Sequence, residues 1–126
     1  MAWHVYDVQL ASFERFTGRD YHLARFNVSR DQGQATWQVR VKVRPSLRQA
    51  LGERARPYDD RELAAGLGAQ AILTLLRQGI EPFEHDIVLD AAHYPGRPGE
   101  PAIRPDYEHL TVRVETSPKG RVVPPV

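Results

Sequence analysis

Six titratable side chains fall between residues 81 and 93: Glu81, Glu84, His85, Asp86, Asp90 and His93. Imidazoles beside carboxylates could hold a divalent cation or shuttle a proton in hydrolysis. A metal-assisted hydrolase would draw on His85, Asp86, Asp90 and His93. The spacing argues against it. On a strand, Asp86 and Asp90 share a face but stand about 13 Å apart. His85 and His93 have no helix between them to bring them together, and the run is not HExxH. Solvated strand ends and loop positions are the simpler reading, and Asp106 with His109 is a weaker pair still. No GxSxG elbow, P-loop or GxGxxG occurs, and Gly66-Leu67-Gly68 lies inside a helical pattern, where it cannot cradle a phosphate. The chain has no cysteine, which excludes disulfides, thiolate catalysis and cysteine-ligated metal. No catalytic residue and no cofactor is implied, and the chain reads as more non-enzymatic than enzymatic.

A second chemistry is phosphate binding. Net charge is only +1, but residues 1–58 carry ten Lys/Arg against five Asp/Glu, and residues 59–126 carry seven against eleven. Arg25, Arg40, Lys42, Arg44 and Arg113 alternate with apolar neighbours, so they project from one sheet face. Such a face could bind nucleic acid, with affinity falling steeply as salt rises. Single-strand binders also place aromatics there for stacking. Here Phe26 and Trp37 fall on the apolar side, and Tyr21 only at the margin. The plainer reading is that the two halves neutralise each other across the fold.

These residues need elements to hold them. Trp3–Leu10 alternates weakly as a first strand. Tyr21–Arg30 alternates more clearly, with Ala24, Phe26 and Val28 on one face. Thr36–Arg44 is strict: Trp37, Val39, Val41 and Val43 oppose Gln38, Arg40, Lys42 and Arg44, the mark of a half-buried antiparallel strand. Asp31-Gln32-Gly33-Gln34 joins the two as a hairpin. Pro45 ends the third strand, and Ser46–Leu51 predicts a short helical turn closed by Gly52. Asp86–Asp90 and His109–Thr116 predict two more strands, paired around a loop with four prolines and two glycines in residues 95–105. Residues 117–126 read as a loosely held tail.

Asp59–Pro82 is a helix with both ends written out. Asp59 and Glu62 form a capping box. Gly79 occupies a left-handed terminal position, Ile80 can fold back on Leu75, and Pro82 forbids continuation. At 100° per residue, Ala71, Leu75, Ile72, Leu76 and Leu73 sweep an arc of roughly 200°, with Leu63 and Leu67 on the opposite side. That is wider than one sheet needs. Ala64, Ala65, Gly66, Gly68 and Ala69 make a thin waist for close backbone approach. The helix should therefore touch a second surface, either its own chain or a second copy meeting Leu63, Leu67, Leu73 and Leu76. Closed two-fold dimers are the commonest oligomers, which favours a homodimer through this helix or an adjacent sheet edge.

With 126 residues, 41% hydrophobic and 26% charged, the chain suits one globular domain. No secretory signal pattern opens it, and the longest apolar run, Ala71–Leu76 broken by Thr74, is far short of a bilayer span. The expected protein is a single α+β domain in the order β-β-β-α-β-β. An antiparallel sheet of four to five strands is covered by one long helix. Trp37, Val39, Val41, Phe26, Val28, Leu75, Ile72, Val112 and Val114 make the core. The expected role is a cytoplasmic, self-associating interaction module without membrane partners, with nucleic-acid binding as the alternative.

Overall fold

The computed structural model describes residues 2–15, 20–80, 86–90 and 105–116. The class is α+β. Strands β1 (Ala2–Arg15), β2 (His22–Arg30) and β3 (Ala35–Val43) form a meander. Helix α1 (Pro45–Leu51), a 3₁₀ turn (Gly52–Ala55) and helix α2 (Asp60–Arg77) follow. Then come β4 (Ile87–Leu89), a second 3₁₀ turn (Pro105–Glu108) and β5 (His109–Thr116). The sheet order is β4-β3-β2-β1-β5.

The expected all-antiparallel sheet is corrected on two points. β4 pairs parallel to β3, from Val41 opposite Ile87 to Val43 opposite Leu89, so the sheet is mixed. The connection through α1 and α2 supplies the long helical crossover that a parallel pair requires, where a tight turn would give an antiparallel one. The expected pairing of residues 86–90 with 109–116 does not form, because β5 lies at the opposite edge, antiparallel to β1. The helical cover is also divided. α1 has 7 residues and α2 has 18, in place of one long helix. The proline loop and the tail lie outside the described residues.

β1 is longer than its alternation predicts. Leu10 pairs with Phe26, then Ser12 with Arg25, leaving Ala11 as an extra residue in the ladder. A bulge of this kind shifts the side-chain phase by one. Tyr6, Val8 and Leu10 face the core before it, and Phe13 returns to that side opposite Ala24 after it.

The ends of α2 match their sequence signals. Asp59 Oδ1 accepts from the Glu62 N–H at 2.8 Å, and the Asp59 N–H donates to Glu62 Oε1 at 3.0 Å. At the far end the Ile80 N–H donates to the Leu75 carbonyl and the Gly79 N–H to that of Leu76. With Gly79 at φ 78°, this is a complete Schellman motif.

The core lies between sheet and helices, around Phe26, Val28, Val39, Val41, Leu63, Leu67 and Ile72. Every residue from Leu63 to Ala69 is buried. The second surface needed by the wide apolar arc is supplied by the chain itself. Leu47 and Leu51 of α1 and Ala55 of the first 3₁₀ turn join the same cluster, Tyr107 packs against it, and the second 3₁₀ turn lies against α2. Trp37, Leu75 and Val112, expected in the core, are only half-buried.

The β2–β3 turn is tied to β1. Asp31 and Gln32 both hold left-handed backbone, φ 50° and 61°, which disfavours ordinary side chains by roughly 1 kcal/mol each. The Asp31 carboxylate offsets this locally. Oδ1 accepts from the Val5 N–H at 2.9 Å, Oδ2 from His4 Nδ1 at 2.6 Å, and the Asp31 N–H donates to the Val5 carbonyl at 2.7 Å. The Val5 bond first, then His4, holds the carboxyl below its ordinary 3.8. A folded-state value below the unfolded one means the clamp acts fully above pH 3.8 and is lost as pH falls through the folded value. Asp31→Asn is therefore expected to lower Tm at neutral pH, with the gap closing in acid. Thermal melts across pH check this, and a gap independent of pH contradicts it.

Candidate functional site

The acidic and histidine set does not form a metal centre among the described residues. Asp86 is already committed. It accepts from Arg40 Nε at 2.9 Å and Nη2 at 3.2 Å, and lies 3.3 Å from Lys42 Nζ. Two cations on one carboxylate leave it poorly suited to a divalent ion. Asp90 lies just past β4 and is also engaged within the chain. His85 and His93 lie outside the described residues.

The basic face exists, and each of its cations has a partner. Arg25 pairs with Glu14, Arg40 and Lys42 with Asp86, and Arg44 Nη1 with Asp20 Oδ2 at 2.7 Å. Lys42 also sits 5.1 Å from the Tyr21 ring centroid, and Arg113 lies 4.6 Å from that of Trp3. Arg40, Lys42 and Arg48 of the basic half meet Asp86 and Asp60 of the acidic half, so part of the charge asymmetry closes inside the fold.

The four leucines expected to meet a second copy are covered by their own chain. Leu63, Leu67, Leu73 and Leu76 are 2%, 1%, 4% and 1% exposed. These four leucines thus offer no surface to a partner, and the two 3₁₀ turns and α1, which carry no strong sequence signal as cover, pack against α2 or join its core cluster.

Among the described residues, nothing pairs with the outer side of either edge strand, and β5 is the longer of the two. Three consecutive open-face positions of β5 are fastened to β1. His109 Nε2 donates to Asp7 Oδ1 at 2.8 Å, Thr111 Oγ1 donates to the same oxygen at 2.9 Å, and Arg113 stacks on Trp3. Trp3 and Val5 of this face are 53% and 42% exposed. Val112 and Val114 anchor the other side of the strand in the core. β5 is therefore an ordered eight-residue edge, and among the described residues no strand pairs with its outer side. The sequence locates this strand but suggests the wrong neighbour for it, which hides its outer edge. The available signal is the pair Arg113 and Glu115, opposite charges two residues apart on one face.

Among the described residues no helix is long and apolar enough to cross a membrane. Comparison with protein-family models, with characterised proteins and with solved structures finds no match to this chain.

Proposed function

We propose that the protein is an interaction module that self-associates by antiparallel pairing of β5 with β5 of a second copy. The observation that carries this reading is the outer edge of β5, which no strand pairs with among the described residues and which bonds to β1 hold in order. Strand addition draws its affinity from main-chain hydrogen bonds and its register from side chains. A two-fold axis at Val114 places Arg113 opposite Glu115 of the second copy, and the reverse, giving two cross-strand ion pairs. Sliding the axis to Arg113 sets arginine against arginine, which disfavours that register. Charged residues on an edge also guard against uncontrolled pairing, so the association is selective for the self-complementary register.

Nucleic-acid binding is supported less well, since the arginines and lysine of the face already have partners.

The dimer is expected in sedimentation velocity or light scattering as twice the 14.3 kDa chain mass. Arg113→Glu and Glu115→Arg should each weaken association about thirtyfold, and the double reversal should restore it, as expected for ~1 kcal/mol at each of the two directly opposed pairs on a two-fold interface. A monomer at high concentration, or a double reversal no better than the single variants, contradicts the reading.

A further inference from the structure

We infer that the recess between the end of β3, α1 and the first turn of α2 binds a small oxyanion bearing a compact apolar body, such as an aryl carboxylate or aryl phosphate. It lies three strands from β5 and is independent of the pairing proposed above. Its volume is about 300 Å³, the size of a small-molecule site. The walls divide by chemistry. Val43, Leu47 and Leu63, all buried, form an apolar floor. His22, Arg44, Arg48 and Asp60 stand around it.

Arg48 is fixed before any ligand arrives. Its Nε and Nη2 donate to Asp60 Oδ1 at 3.2 and 3.0 Å, Nη1 to the Ala55 carbonyl at 3.2 Å, and Nη2 to that of Tyr58 at 2.8 Å. These bonds use four of the five guanidinium N–H groups and leave one on Nη1. Arg48 largely satisfies Asp60. Its Oδ2 lies 3.5 Å from His22 Nε2 and 3.7 Å from Arg15 Nε, at ion-pair rather than hydrogen-bond range. Among the described residues Arg44 pairs with Asp20, and their side chains are 42% and 74% exposed. Such an exposed pair is weak, so an incoming anion can displace Asp20. Two guanidiniums, Arg44 and Arg48, and one carboxylate, Asp60, thus stand around the apolar floor. The His22 ring, edge-on to Phe13 at 5.7 Å between centroids, keeps Nδ1 buried without a hydrogen-bond partner. Packing alone gives no reason to hold an imidazole there, since an orphaned acceptor is unfavourable. Its other nitrogen, Nε2, faces Asp60 Oδ2 in the recess.

The test titrates the full chain with phenyl phosphate and benzoate, and separately with inorganic phosphate and phenol as the two half-ligands. Calorimetry gives affinity and amide chemical shifts give location. At least one aryl anion should bind about tenfold or more tightly than either half-ligand, moving amides of Arg44, Leu47, Arg48 and Leu63. Which aryl anion binds better separates a carboxylate from a phosphate ligand. Arg44→Ala should weaken binding about tenfold, the loss expected for one charge-assisted hydrogen bond, with Tm unchanged. Gln49→Glu, at an exposed rim position, provides a second variant that repels the anion without touching the core. The inference is overturned if neither aryl anion binds at millimolar concentration, if inorganic phosphate binds as well as phenyl phosphate, or if both variants bind like the parent.

Discussion

Gly68→Ala is expected to destabilise the fold by up to about 2 kcal/mol, although alanine is the better helix former by about 1 kcal/mol. A Cβ at Gly68 would lie 2.8 Å from Phe26 Cε1 and 2.9 Å from Cζ, with Val41 Cγ1 at 3.6 Å. Those ring atoms belong to a side chain that is 0% exposed, in the central strand of five, so the ring has little room to yield. Overpacking of this kind disfavours the fold by roughly 1–3 kcal/mol, which outweighs the propensity gain. Gly68→Val adds branching at the same point and should exceed about 3 kcal/mol. The diagnostic is the double variant. Phe26→Leu alone lowers stability by ~1 kcal/mol, but it shortens the group that the added methyl strikes, so the pair should be less destabilised than the sum of the single changes. Urea unfolding of the parent, the two single variants and the double variant measures this coupling. Strict additivity, or a stabilised Gly68→Ala, would show that the helix does not approach the sheet this closely.

That contact bears on what the sequence disclosed. Local signals read correctly, since each depends on neighbours in the chain. The capping box at Asp59 and Glu62, the Gly79 terminus, the turn at Asp31-Gln32-Gly33-Gln34 and the alternation of Thr36–Arg44 all appear where they were expected. The small residues of α2 marked a close approach, and Gly68 against Phe26 supplies one. Neighbours distant in sequence were less legible. Val41 and Ile87 are partners because a helical crossover separates them, whereas simple adjacency pairs residues 86–90 with 109–116. The alternation of β1 breaks off at Leu10 because the bulge at Ala11 reverses it, so Phe13 looks out of phase. The basic face was visible as a pattern, but Glu14, Asp20 and Asp86 reach it from other elements. The recess at His22, Arg48 and Asp60 joins a strand start, a short helix and the first residue of α2. No motif spacing links those three positions.

The wide apolar arc of α2 has two physical consequences that one substitution separates. If the leucines of α2 faced a second copy, a charge there would yield a folded, soluble monomer. If they form the core, the same charge removes the fold. Leu67 is 1% exposed within a seven-residue run buried on all sides, so Leu67→Glu must place a carboxylate among Leu63, Ile72 and the floor of the sheet. An ionised carboxylate there lacks a partner, and protonating it still leaves a buried polar group together with the lost leucine packing. The expected loss is above about 4 kcal/mol, comparable with the entire stability of many small domains. Far-UV circular dichroism should show a largely unfolded or aggregated chain. Arg113→Glu on the β5 edge should by contrast keep the native spectrum and change only the mass, because Arg113 is exposed and its guanidinium packs on the exposed Trp3 ring. A folded, monomeric Leu67→Glu protein would return the association surface to the helix and remove the case for β5. An unfolded one beside a folded Arg113→Glu monomer separates core from interface within the same chain.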